Sequence, residues 1–254
     1  PERITIEQAL LLPGAEPEDP EGRVRLVLGV EESRLGALVM EPRRDSHLYL
    51  FGDSKSGKTT FLRSVAAEVM RTHSASQAQF FVVDPRRTLL GEIPEEYLVG
   101  YAANRNDAQK QLGEVADFLH RRLPGDQVTT DQLRHRSWWT GAEAWVLVDD
   151  YDLVATVSGN PLLTLLPLLA QSQDIGLHVI IARRMGGAAR SVYEVVLQNL
   201  SELGATGVLL SGNPEEGAVI GRVRPVRSAP GRARVVSRDL DLVTAQLLWT
   251  PPRA

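Results

Sequence analysis

Eight residues, Gly52-Asp53-Ser54-Lys55-Ser56-Gly57-Lys58-Thr59, constrain this chain more than any other stretch. They fit the pattern G-x-x-x-x-G-K-[ST] at every fixed position, and that pattern has physical meaning only between a strand and a helix. Both flanks comply. Leu48-Tyr49-Leu50-Phe51 has the length and composition of a buried strand. Beyond the loop, Phe61, Leu62, Val65, Ala66, Val69 and Met70 recur at helical spacing and form one apolar face. A glycine-rich turn there aims consecutive backbone N–H groups at phosphate oxygens, and the helix N-terminus adds partial positive charge. Residues 52–60, Thr60 included, therefore read as a nucleoside triphosphate site. Lys58 is expected at the β- and γ-phosphates and the Thr59 hydroxyl at Mg²⁺. Lys55 and Ser56 shape the loop or face solvent.

A chain of 254 residues with 43% hydrophobic content suits one sizeable α/β domain. The absence of cysteine excludes disulfides, thiolate metal sites and cysteine nucleophiles. A net charge of -4 argues against constitutive nucleic-acid binding. No stretch approaches the ~18 continuous apolar residues that span a bilayer, and Pro1-Glu2-Arg3-Ile4-Thr5 is not a secretory signal. Starting at proline, the chain reads as a piece of something longer, which leaves room for a membrane anchor elsewhere.

Residues 1–46 read as a linker and lead-in β segment, with Pro13-Gly14, Glu16-Pro17 and Asp19-Pro20 breaking the early part. Apolar stretches flanking Glu31-Glu32-Ser33-Arg34 suggest a hairpin over residues 24–40. Residues 47–254 read as the nucleotide-binding domain. Its apolar runs at 80–83, 97–102, 145–148, 179–182 and 208–210 alternate with helical patterns at 108–119, 161–172 and 190–203. That alternation predicts an α/β fold with a mostly parallel central sheet flanked by helices, and phosphate sites at the strands' carboxyl ends. The arginine-rich tail, residues 221–238, is expected as a peripheral β-hairpin at the sheet edge.

Trp145-Val146-Leu147-Val148-Asp149-Asp150 is an apolar run that delivers a carboxylate to its tip. Asp149 is the expected Mg²⁺ partner on the phosphate-loop side. Asp150 either acts as a base for the attacking water or starts the turn into Tyr151-Asp152.

Taken in order, the phosphate loop, Val83-Asp84-Pro85-Arg86-Arg87, Val148-Asp149-Asp150-Tyr151-Asp152, residues 176–184, Leu210-Ser211-Gly212 and residues 230–235 resemble the FtsK/SpoIIIE superfamily. Within it the resemblance is to EccC ATPases of type VII (ESX) secretion, specifically to their last ATPase domain, from about Val27 onward. The resemblance implies a RecA/FtsK-like P-loop NTPase fold with ATP and Mg²⁺ as cofactors. It also implies tandem ATPase domains in a membrane-anchored chain at the cytoplasmic face of the bacterial membrane. Hexamers are implied for the full assembly, with the isolated piece open to being a monomer. WXG100-type substrates, recognised through a C-terminal signal, are the implied partners. The resemblance further implies that later domains of such chains bind ATP tightly and hydrolyse it slowly or not at all.

Two departures from the superfamily pattern point the same way. Many members carry glutamate where this chain has Asp150, one methylene shorter, and a misplacement of ~1 Å costs on the order of 10²-fold in rate. DNA-pumping members place Thr-Gln-Arg-Pro after the fourth strand, whereas Ala182 here precedes Arg183-Arg184-Met185-Gly186-Gly187. Arg183 and Arg184, with Arg190, are candidates for a γ-phosphate sensor in cis or an arginine finger in trans, or else they orient a loop through carboxylates. Trp138 and Trp139 either line a peptide pocket or cover the sheet. The expected function is an ATP-binding module that helps recognise export substrates and couple them to assembly. Its rivals are an active DNA translocase and an adaptor whose nucleotide is structural.

Overall fold

The structure, a computed structural model, describes residues 2–238 and 242–253. In chain order its elements are α1 (Ile6–Ala9), β1 (Leu26–Glu31), β2 (Ala37–Met40), β3 (His47–Gly52), α2 (Lys58–Thr72), β4 (Ala78–Val83), β5 (Leu98–Ala102), α3 (Arg105–His120), α4 (Thr130–His135), β6 (Glu143–Val148), α5 (Tyr151–Val154), a 3-10 helix (Pro161–Gln171), α6 (Ser172–Ile175), β7 (Leu177–Arg184), α7 (Ala188–Ser191), α8 (Val195–Glu202), β8 (Thr206–Leu209), β9 (Arg232–Val236) and β10 (Val243–Leu247). The strands form one sheet in the order β2-β1-β10-β9-β8-β3-β7-β6-β4-β5.

From β8 to β5 every neighbouring pair is parallel. Strands buried on both faces read as continuous apolar runs, which is why β3 and β6 stood out in the sequence. Alternation along β3 sends Tyr49 and Phe51 into one core with α3, the 3-10 helix and α8. Leu48 and Leu50 enter the other, with Phe61, Leu62, Val65 and Val69 of α2.

Residues 1–46 do not stand apart from this sheet. β1 and β2 pair antiparallel, as the hairpin reading expects, and β1 continues into β10 on its other edge. Glu68 of α2 is fully buried and ties the two regions together. Its Oε2 accepts from the Val27 amide at 2.8 Å, and Arg71 donates to both its oxygens at 2.6 and 3.0 Å. Truncating Glu68 to alanine leaves a buried amide and a guanidinium without their acceptor. It is expected to destabilise the fold by about 2–3 kcal/mol, lowering Tm by roughly 5–10 °C. Thermal unfolding followed by circular dichroism checks this; an unchanged Tm would mean that strand pairing with β10 and packing hold residues 1–46 without Glu68.

Three expectations need correction. The C-terminal hairpin exists, but its strands are residues 232–236 and 243–247, and it lies inside the sheet between β8 and β1. Residues 221–231 hold no strand of it. The helix at 161–172 is 3-10 over most of its length, because Pro167 lacks an N–H and its ring clashes with the carbonyl four residues back. The stretch 190–203 breaks into α7 and α8. Glu194 causes the break: it caps the Leu197 amide and also accepts from Tyr151 Oη at 2.5 Å and Asn160 Nδ2 at 2.8 Å.

Candidate nucleotide site

The phosphate loop leaves β3 and re-enters the fold as α2. Its two fixed glycines answer separate constraints. A Cβ on Gly52 would lie 2.3 Å from Ser56 Oγ and 2.8 Å from Leu210 Cβ. Gly57 caps α2 at φ 108°, a left-handed conformation, where a Cβ would lie 3.2 Å from the Gly231 amide. Lys55 also adopts positive φ. The Lys58 ammonium folds back onto the loop and donates to Gly52 O and Asp53 O, both at 3.0 Å. Burial lowers the Lys58 pKa, while Asp149, Asp150, Asp152 and Asp53 act in the opposite direction.

β7 separates β3 from β6, so the tips of three parallel strands converge here. Asp149 is 1% exposed, and its Oδ2 accepts from Thr59 Oγ1 at 2.5 Å and Thr88 Oγ1 at 3.1 Å. Two hydroxyls and a carboxylate make a set of hard oxygen donors that suits Mg²⁺. The loop opens onto this set with Lys58 and Thr59 at its end. The residues present therefore fit Mg²⁺ with a polyphosphate.

Asp150 follows in a left-handed backbone conformation (φ 45°, ψ 50°), its amide donating to Asp149 Oδ1 at 2.9 Å. Its carboxylate meets Arg86 Nε at 3.0 Å. Burial and then the neighbouring Asp149 raise the Asp150 pKa, with Arg86 opposing them.

Of the arginines singled out in the sequence, Arg183 donates from Nη1 to Arg184 O at 2.9 Å and Gly186 O at 3.3 Å. Arg184 Nε lies 2.9 Å from Asp152 Oδ2, and Arg190 is exposed on α7. Trp138 and Trp139 are half-buried and donate to Arg122 O and Asp174 O, with the Arg122 guanidinium 3.9 Å above the Trp139 ring. That places them over the amino ends of the strands, away from the loop.

Two cavities flank the loop. One of 430 Å³ joins Asp53, Lys58 and Thr59 to Arg86, Thr88 and Asp150. The other, of 450 Å³, runs from Gly57–Thr60 to Arg3, Pro230, Gly231 and Trp249. Sequence reasoning missed Arg86, Thr88 and the second cavity's far wall. The strand-tip pattern Val83-Asp84-Pro85-Arg86 was the available signal for the first two. Nothing in the spacing joins Arg3 to Trp249, although their side chains stack 5.0 Å apart.

The FtsK/SpoIIIE family matches residues 14–207. The ESX-4 secretion system protein EccC4 of Mycobacterium tuberculosis is 44% identical over 227 residues, 89% of this chain and 18% of that protein. The ESX secretion system protein EccC of Thermomonospora curvata is 40% identical over 229 residues, 90% of this chain and 17% of that protein. This chain thus spans less than a fifth of either relative. The solved structure of ATPases 2 and 3 of Thermomonospora curvata EccC, in complex with a signal sequence peptide, superposes with a TM-score of 0.90 at 37% identity. That match covers 99% of this chain and 44% of the other. Because the family match runs through the phosphate loop, the acidic tip of β6 and the end of β7, the chain belongs to the FtsK/SpoIIIE family.

Proposed function

We propose that this chain is an ATP-binding module of a type VII secretion ATPase, corresponding to the last of its tandem domains, with slow hydrolysis or none. Lys58 and the loop amides bind the phosphates. Thr59 and Asp149 hold Mg²⁺, which when bound neutralises charge on the terminal phosphates. The observation that carries slow turnover is the state of Asp150. It is a methylene short of the usual glutamate, and its carboxylate is engaged by Arg86 at 3.0 Å. Even when released from Arg86, a carboxylate one methylene short is not positioned to orient water.

The remaining parts of the reading draw on the relatives. The signal peptide bound to Thermomonospora curvata EccC supports export-signal recognition by this chain. The length of the relatives supports further ATPase domains of the same chain or complex as partners. Among the described residues no helix is long and apolar enough to cross a membrane; the membership of the relatives in secretion systems supports placing this chain at the cytoplasmic face of a membrane-anchored assembly. The test is ATP binding and single-turnover hydrolysis by this chain with Mg²⁺. Tight binding is expected, with turnover below about 0.1 s⁻¹ against the ~10 s⁻¹ median of enzymes, and little change in Asp150→Ala. Turnover near that median, abolished by Asp150→Ala, would overturn the slow-hydrolysis reading.

A further inference from the structure

Arg86 has a position in the fold that neither the phosphate loop nor the helix after it explains. β4 and β6 are parallel neighbours with Val83 opposite Val148, so the segments after them start side by side. The segment after β4 is fastened by Asp84, which is fully buried. Asp84 Oδ2 accepts from the Leu89 amide at 2.6 Å and Tyr101 Oη at 2.7 Å, and its Oδ1 lies 3.3 Å from Thr88 Oγ1, whose one hydrogen it shares with Asp149. Its backbone carbonyl accepts from the Arg87 amide at 3.1 Å, closing a turn whose last residue has φ 59°. The backbone at Arg86 is therefore fixed, while its side chain is 63% exposed and reaches the 430 Å³ cavity beside Lys58 and Thr59.

We propose that Arg86 is the γ-phosphate-sensing arginine of this site, held by Asp150 until a triphosphate takes it. The inference rests on the ATP-binding reading and names the residue that tells ATP from ADP. Its first support is placement: Arg183 and Arg190 do not line the 430 Å³ cavity, and Arg184, which does, pairs with Asp152, whereas Arg86 pairs with Asp150, the neighbour of the expected Mg²⁺ partner Asp149. Its second support is electrostatic. Asp53 and Asp150 line the cavity with Lys55, Lys58, Arg86 and Arg184, and Asp149 adjoins it through Thr59. A terminal phosphate entering beside Asp149 and Asp150 needs a compensating cation that a diphosphate does not.

The exchange has a clear direction. An ion pair with one partner this exposed is weak. A terminal phosphate carries more charge and more acceptor oxygens than one carboxylate, and a guanidinium matches it in two-pronged geometry. ATP thus draws Arg86 off Asp150 and frees that carboxylate; ADP leaves the pair intact. Arg86 is a positioning residue for Asp150 in one state and a ligand of the phosphate in the other.

Isothermal titration of this chain with ATP and with ADP, each with Mg²⁺, tests the proposal. Arg86→Ala is expected to weaken ATP binding about tenfold, the loss of one charge-assisted contact at a half-open site, while ADP binding changes by less than about twofold. Asp150→Asn is expected to strengthen ATP binding, and that gain shrinks in the Arg86→Ala background because the two residues share one exchange. Equal losses for ATP and ADP, or no loss for either, would overturn the sensing role. A gain from Asp150→Asn of the same size in both backgrounds would overturn the exchange. If the unaltered chain bound neither nucleotide, the ATP-binding reading itself would fail.

Discussion

Lys58→Ala is expected to weaken ATP binding by about a thousandfold, while the variant unfolds close to the unaltered chain. Two charge-assisted contacts to phosphate oxygens are worth roughly 4 kcal/mol together, which corresponds to that factor. Before nucleotide arrives, the ammonium is held by the Gly52 and Asp53 carbonyls at 3.0 Å. Gly52 O also accepts from the Met185 amide at 3.0 Å, so one of those carbonyls keeps a partner when the lysine is gone. The other lies at an exposed residue and turns to water. Stability is thus spared and affinity is not. Lys58→Arg should fail to rescue binding, because a planar guanidinium does not sit between two carbonyls of a tight loop as a compact ammonium does. Titration calorimetry with melting curves checks both halves; ATP affinity within tenfold of the unaltered chain would mean that the loop amides carry the binding.

The difference between what the sequence reveals and what it hides has a physical origin at particular residues. The strand, loop and helix of residues 47–72 are contiguous, so hydrophobic period and glycine placement reveal them directly. The same holds for the acidic tip of β6. The pairing of β1 with β10 joins residues more than two hundred positions apart, Glu31 to Ala245 among them. No local pattern announces that, and the hairpin was accordingly expected at an edge. Arg86 and Asp150 meet for a similar reason: their strands are neighbours in space with α3 and α4 between them in sequence. Lys58, Thr59 and Asp149 were legible because a motif names residue types by role. Arg183 and Arg184 also looked cationic and near the site, yet the local backbone and Asp152 engage them. Charge is readable from a sequence; which partner each charge meets is a property of the fold.

Acid should unfold this chain well before general carboxylate protonation does, and His47 is the main cause. It opens β3 at 4% exposure, with Nδ1 accepting from the Val179 amide at 3.1 Å and Nε2 facing Leu169 O at 3.5 Å. Only the neutral tautomer with hydrogen on Nε2 satisfies both, since protonating Nδ1 would set one N–H against another. Burial, and secondly the nearby His178, push its pKa down to about 3. An unfolded histidine titrates near 6.5. Between those values the unfolded chain binds the extra proton, so the His47 contribution is whole above about pH 6.5 and is lost as pH falls toward 3. The full window is worth on the order of 4 kcal/mol, about 2–3 kcal/mol of it between pH 7 and 4.5. His73, whose pKa is also lowered chiefly by burial, adds a smaller loss of the same sign. Glu143 acts later: burial raises its pKa, but His178 and Arg136 outweigh that and hold it below the usual carboxylate range. Urea unfolding across this range gives the slope directly. His47→Asn keeps an acceptor for the Val179 amide and cannot titrate, so it should be less stable at pH 7 yet show a shallower fall toward pH 4.5. Parallel slopes in the two proteins would move the acid-labile group elsewhere in the fold.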